Sequence, residues 1–330
     1  MKKKKYVKIA IIASICVIAI LVGVIVYFVN NDKYYFTTGI GKNEVFKVNG
    51  EVCTIAEMNI YLADMKTQYT KLFSDEVFTK QIGEISFEDY IKDQTKQRIA
   101  NYKCVKLFAA EKKISLNKDE LAKVEEKAKE YMDSLSDADK KTMKIGIEDV
   151  KNAFEDYMLY EKVFDIYTAE VNSEVSVDEA RVIRIQYIFI PATKGLDFAN
   201  ECQASIDEDT NFANLAKELN EGGQYECKLS RGDMEEVFEK AAFDLHTGEI
   251  SDVVTAKKGY YIIKCISDYE KNDTEINKQV VIEKRKEAMF RDKYDSFVKG
   301  LPTEFNNKLW QTLDINTLPN VSKTIDEILK

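Results

Sequence analysis

Histidine is almost absent from this chain: His246 is the only one in 330 residues. It lies in a Leu-x-x-Gly-Glu turn, where a solvent-facing side chain is the expected role. With no His or Cys grouped at ligand spacing, a zinc site has no support. Five of the six cysteines, Cys53, Cys104, Cys202, Cys227 and Cys265, follow the apolar N-terminal run. An odd number without a close Cys-x-x-Cys pair does not make a disulfide framework. Cys227 and Cys265 sit in strand-like settings, where a thiol serves as a small buried hydrophobe. A phosphate-binding glycine loop is also missing, and no metal, nucleotide or redox cofactor is expected.

Acidic residues are missing before Asp32, whereas Lys2, Lys3, Lys4, Lys5 and Lys8 crowd the start. The whole chain has a formal charge of −9, so the part beyond those five lysines carries −14. A surface of that sign disfavours nucleic acid as a partner and favours basic or neutral ones, although it also serves plain solubility. Residues 9–29 are uncharged and predominantly apolar. A bilayer core needs roughly 20 such residues, and lysines on the N-terminal side keep that side in the cytoplasm. A cleaved signal peptide has a shorter apolar stretch of about 7 to 15 residues and a small-x-small site, which is not found before Asn30. The sequence therefore predicts a retained single-pass anchor over residues 1–30, a linker at 31–44 and everything beyond it outside the cell.

The chain as a whole contains 45% apolar residues, enough to bury a core. Residues 45–52 read as two short extended runs about Asn49-Gly50, a tight-turn signal. Thr54 with Glu57 makes a capping pattern, followed by Met58, Leu62, Met65, Tyr69 and Leu72 at helical spacing. Ser86 with Asp89 and Asn117 with Glu120 mark further helix starts, and Val150, Phe154, Met158, Val163 and Ile166 share a helical face. Residues 54–171 thus read as almost wholly helical. From 182 to 190 the pattern turns β-rich, followed by helical signals, a glycine-rich stretch and a strand near 260–266. A long charged helix follows Asp268 to about Lys299. Trp310 and the extended segment after it are read as closing the helical core.

Residues 212–264 carry a motif. Gly222, Gly223, Arg231, Gly232, Met234, Phe238, Glu239, Ala241, Ala242, Phe243, Leu245, Gly248, Glu249, Ile250 and Ser251 stand in near register with the parvulin family's run G-G-D-L-G-x-x-x-R-G-Q-M-x-x-x-F-E-x-A-A-F-x-L-x-x-G-E-I-S. Arg184 to Phe189 and Gly259 to Lys264 correspond to that family's first and last strands. The segment closely resembles the parvulin (rotamase) peptidyl-prolyl cis-trans isomerases, and the turn-then-helix opening at 48–57 resembles the chaperone domain of secreted foldases. The resemblance implies an α+β architecture. It would comprise a transmembrane helix, a mostly helical chaperone-like domain at 45–175, an inserted parvulin-like domain at 180–269 with a small antiparallel sheet covered by helices, and a C-terminal segment at 270–330 packing back on the helical domain. Many extracellular relatives of Gram-positive bacteria are lipoproteins. Here Cys16 follows Ile15 in the middle of the apolar run, so attachment departs from that pattern.

The same resemblance assigns a proline-gripping role to Met234 and Phe238, with Phe189 as neighbour; ordinary core packing is the alternative for these side chains. It places a polar site at Tyr187, Tyr261 and Thr255. Both family histidines are tyrosines here, one extra residue separates Thr255 from Tyr261, and the loop that carries Cys or Asp is cut to Asn220-Glu221. Tyr187 and Tyr261 would either exchange a hydrogen bond, since a phenol both donates and accepts, or merely fill the imidazoles' space. The expected function is an extracellular folding factor acting on unfolded or proline-containing secreted polypeptides, with isomerase activity weakened by the loss of both histidines. The alternatives are a non-catalytic holdase or peptide-binding module on the same fold, and a cell-surface scaffold for one fixed partner.

Overall fold

The computed structural model describes residues 39–329. The expected transmembrane anchor lies outside the described residues, and among those described no helix is long and apolar enough to cross a membrane. Two compact units are present, one formed by the chain up to Glu170 together with Lys286 onward, the other by Val171–Arg285.

In the first unit, strand β1 (Glu44–Val48) turns back into β2 (Glu51–Thr54) through Asn49 and Gly50 at φ of 45° and 91°. Two consecutive positive φ values are what a two-residue hairpin twisted like its strands requires. Thr54 then accepts the Glu57 N–H and starts helix α1 (Ile55–Phe73). A small hairpin of β3 (Gln81–Ile82) and β4 (Ile85–Ser86) interrupts the helices, a feature the helical reading of residues 54–171 did not contain. Helix α2 (Phe87–Lys112) is capped by Ser86, and α3 (Lys118–Asp133) by a capping box in which Asn117 and Glu120 satisfy each other's backbone N–H. Helices α4 (Asp137–Met143) and α5 (Ile147–Thr168) complete the run. Their core holds Tyr61, Ile99, Phe108, Tyr131 and Phe154, and Phe290 and Tyr294 from the late chain join it. A strand at Thr303–Phe305 pairs with the free edge of β1.

Burial in this unit includes charge. Lys103 lies 2.8 Å from Glu57 and 2.6 Å from Asp156, all three nearly inaccessible, and Lys106 joins Asp156 to Glu51 at 3.1 Å each. Burial pushes the Glu57 carboxyl up to about 7 although Lys103 pulls the other way. The C-terminal segment is stitched to α1: Lys66 donates to the carbonyls of Asn316 and Leu318, Thr67 accepts the Val321 N–H and Asp64 accepts the Ile325 N–H. Trp310 receives the ammonium groups of Lys92 and Lys96 at 5.5 and 5.1 Å from its ring.

The second unit runs α6 (Val177–Ala180), β5 (Ile183–Pro191), α7 (Gly195–Ala204), α8 (Phe212–Leu219), β6 (Glu226–Leu229), α9 (Glu236–Asp244), β7 (Val254–Ala256), β8 (Gly259–Ser267) and the first part of α10 (Lys271–Val298). Its four strands lie in the order β6-β5-β8-β7, every neighbour antiparallel. The unit is wider than residues 180–269. Arg285 binds the Asn172 and Glu174 carbonyls at 2.7 and 2.8 Å and clasps Glu179 with two bonds of 2.6 and 2.7 Å. Both bonds to Glu179 leave from Nη2 while Nη1 serves the two carbonyls, so one charged side chain joins three points of the incoming chain.

Alternation along β5 divides the unit into two cores. Ile183 and Ile185 on one face meet Phe238, Ala242 and Phe243 of α9. Ile188 and Ile190 on the other face meet Ala199 of α7 and Phe212 and Ala216 of α8. Gly259 enters β8 where a Cβ would lie 2.2 Å from the Ile190 carbonyl oxygen, so only glycine lets this turn close against β5.

Candidate functional site

The α9 side of the sheet carries the residues singled out by the motif. Residues directly opposite in an antiparallel pair share a face, and the register sets Phe189 against Tyr261 and Tyr187 against Ile263. Tyr187 and Tyr261 are therefore diagonal neighbours. Their rings lie 6.1 Å apart at 62°. Phe238 of α9 meets Tyr261 at 4.9 Å and 80°, and Tyr187 at 6.1 Å and 86°; Phe189 meets Tyr261 at 5.0 Å. Tyr261 touches all three other rings, and edge-to-face pairs of this type contribute about 0.5 to 1.5 kcal/mol each beyond their buried area.

Three of the expected site residues are placed as follows. Phe238 is 0% exposed; it supports Tyr187 and Tyr261 from beneath instead of offering its own surface to a ligand. Met234 is 38% exposed on the loop before α9. Its backbone N–H is tied to Glu239 at 2.8 Å. Thr255 pairs with Tyr260, not with Tyr261. Tyr260 packs in the α7 and α8 core, so exposed Thr255 is on the opposite face from the two tyrosines. The extra residue before the last strand is the cause, because a shift of one position reverses the face of every side chain.

Burial raises the phenols of both Tyr187 and Tyr261, with Cys227 and Tyr261 adding to it at Tyr187 and Glu235 at Tyr261. Both hydroxyls thus stay protonated near neutrality and can donate or accept, but neither serves as a general base there. The hydrogen bond envisaged between them is not formed: the rings meet edge to face, and neither hydroxyl is bonded within the described residues. His246 is 81% exposed in its side chain and lies 3.6 Å from Asp268. Among the described residues no group of His, Cys, Asp and Glu is placed to hold a metal.

Two residues near the site were given no role in it by the sequence reading. Cys227 is only half-buried and packs on this same core beside Tyr187. Asn220 binds the backbone of β5 on both sides of Ile188, accepting from Phe189 N–H at 2.9 Å and donating to the Tyr187 carbonyl at 3.1 Å. The signal available for Asn220 was its place at a helix end directly before Glu221, Gly222 and Gly223.

Comparison with known proteins adds a second line. Residues 195–267 match the rotamase family, described as the PPIC-type PPIASE domain, and residues 2–144 match a SurA-like N-terminal domain. The foldase protein PrsA of Caldanaerobacter subterraneus subsp. tengcongensis is 24% identical over 275 residues, covering 77% of this chain and 84% of the relative. The foldase protein PrsA of Bacillus subtilis is 36% identical over 97 residues, 28% of this chain and 32% of the relative. The crystal structure of a peptidylprolyl isomerase (PrsA) from Bacillus anthracis covers 61% of this chain and 94% of its own, with 22% identity and a TM-score of 0.38. The parvulin resemblance therefore holds over residues 195–267, and residues 2–144 are similar to a SurA-like N-terminal domain.

Proposed function

We propose that this chain, which joins a parvulin domain to a SurA-like N-terminal domain, is a protein-folding factor that binds proline-containing segments of unfolded secreted polypeptides. The run of apolar residues at 9–29 behind five lysines supports attachment to the cell membrane with the folded units outside. The observation that carries the reading is the four-ring face of Tyr187, Phe189 and Tyr261 backed by Phe238, assembled at the positions of the family's motif. An apolar aromatic surface can hold a pyrrolidine ring and strip water from the adjoining amide.

Rotation about an X-Pro bond is resisted by about 18 to 20 kcal/mol of lost amide resonance and takes tens to hundreds of seconds unaided. Favouring the twisted amide over both planar forms is sufficient for acceleration, and needs no acid or nucleophile. The two phenols supply neutral hydrogen-bond donors where the family has imidazoles. A missing polar partner costs roughly 1 to 3 kcal/mol, and about 1.4 kcal/mol is tenfold in rate. Turnover is therefore weakened by about fivefold to 150-fold relative to a histidine-bearing site.

A second reading, a holdase without turnover, is favoured by one observation: Phe238 is wholly buried and Thr255 is on the far face, so the tyrosines act without the family's other contacts. The test is magnetisation-exchange measurement of cis-trans interconversion in a proline peptide with the full chain, wild type and Tyr187→His/Tyr261→His. The proposal expects exchange above background and a clear gain in the double variant. Exchange at background in both, with aggregation of unfolded clients still suppressed, selects the holdase.

A further inference from the structure

The sheet edge next to the aromatic face ends early. Strand β6 pairs with β5 only from Ile183 to Gln186, and the last backbone bond on that side runs from Tyr187 N–H to the Tyr225 carbonyl at 2.8 Å. Beyond it the Tyr187 C=O and Phe189 N–H point toward β6 with no strand to receive them. The Asn220 carboxamide takes that place. Its Oδ1 accepts Phe189 N–H at 2.9 Å, and its Nδ2 donates to the Tyr187 carbonyl at 3.1 Å and to the Gln224 carbonyl at 2.9 Å. One side chain reproduces the donor-acceptor pair of a strand residue and anchors the segment leading into β6. The reverse orientation of the amide would set NH₂ against N–H and oxygen against two carbonyls, so the network admits one assignment.

The carboxamide is itself held firmly. Asn220 N–H closes α8 on the Ala216 carbonyl at 3.0 Å, Gly222 N–H reaches the Lys217 carbonyl at 2.8 Å and Gly223 N–H the Asn220 carbonyl at 2.8 Å. Glu221 and Gly222 have φ of 54° and 76°. A Cβ at position 223 would lie 2.9 Å from the Asn220 carbonyl oxygen. The glycine pair of the motif thus makes the turn that aims Asn220 at β5.

We infer that Asn220 is a positioning residue for the aromatic face: by fixing the backbone on either side of Ile188 it sets the Tyr187 and Phe189 rings against Tyr261. Ligand binding at this face rests on the function proposed above; the positioning itself does not. Asparagine is required over aspartate, because a carboxylate would face the carbonyl oxygens of Tyr187 and Gln224 with no hydrogen to offer. Asn220→Asp keeps the acceptor for Phe189 and loses both donor bonds, whereas Asn220→Ala loses all three.

The experiment compares the full chain with Asn220→Asp and Asn220→Ala by ring resonances of ¹³C-labelled tyrosine and phenylalanine, hydrogen exchange of the Phe189 amide, and affinity for a proline-containing peptide. In Asn220→Asp the account expects shifted Tyr187, Phe189 and Tyr261 rings with the Phe189 amide still protected, and peptide affinity weakened by about tenfold or more as both donor bonds are lost. In Asn220→Ala that protection is lost as well. Should Asn220→Ala fail to fold, Asn220→Asp decides alone, since it retains the acceptor and the backbone turn. Unchanged rings and unchanged peptide affinity in a folded Asn220→Asp would overturn the inference. A wild-type chain that ignores the peptide overturns the proposed function instead, and the ring resonances then decide positioning by themselves.

Discussion

Gly259 and Asp64 show how single residues govern the two units. At Gly259 any side chain would place its first carbon 2.2 Å from the Ile190 carbonyl oxygen. Backbone must shift to relieve such a contact, and overpacking of this kind costs about 1 to 3 kcal/mol or more. Gly259→Ala is expected to lower the unfolding free energy of the Val171–Arg285 unit by an amount in that range, read from the midpoint and slope of its own urea transition. Asp64 is 0% exposed, and burial pushes its carboxyl up to about 6 while Arg98 pulls it down. An acid raised above its unfolded value, about 3.9, binds a proton in the native state that the unfolded chain has released. Its contribution is therefore full below about pH 4 and is lost as pH rises through 6, by up to about 3 kcal/mol. Asp64→Asn retains an oxygen for the Ile325 N–H and is expected to flatten that slope, as denaturation at pH 5 and 7.5 would show; an unaltered slope would contradict it. Residue-scale legibility was uneven for a physical reason. Tyr187, Phe189 and Tyr261 stand on adjacent strands at positions fixed by alternation. Thr255 was displaced by one added residue, whereas the full burial of Phe238 agrees with the core-packing alternative.

At the scale of elements, local chemistry was legible where it was strong. Thr54, Ser86 and Asn117 cap the helices they precede, because a side-chain acceptor three residues before an acidic partner satisfies orphan N–H groups wherever the helix packs. The hairpin at 81–86 was not legible, since each of its strands has only two residues and period two has no length over which to appear. The buried contact of α2 with α1 and α5 through Lys103, Glu57 and Asp156 was equally hidden: each residue alone reads as a solvated charge. Removing the cation would strand Glu57 in a dry core and leave Asp156 to Lys106 alone, a loss of about 3 to 5 kcal/mol. Lys103→Met is accordingly expected to unfold the helical unit at much lower denaturant, while Glu57→Gln, which keeps Asp156 for Lys103, is expected to cost distinctly less. Equal losses in the two variants would show that the triad does not act through charge.

At the scale of the molecule, the parvulin sequence is threaded between two stretches of chain that form the other unit. Arg285 fastens the outgoing chain to Asn172, Glu174 and Glu179 of the incoming one. Arg285→Ala is expected to raise hydrogen exchange at 172–179 without altering the aromatic rings of the site. Reading the insertion from sequence depended on motif resemblance, because composition does not change at either crossing. The account as a whole depends on the tyrosine-lined face recognising proline. Its most direct test is cis-trans exchange in a proline peptide measured with the full wild-type chain beside Tyr187→Ala/Tyr261→Ala. The account predicts exchange above the uncatalysed rate for the wild type and its loss in the double variant; equal acceleration by both proteins would contradict it.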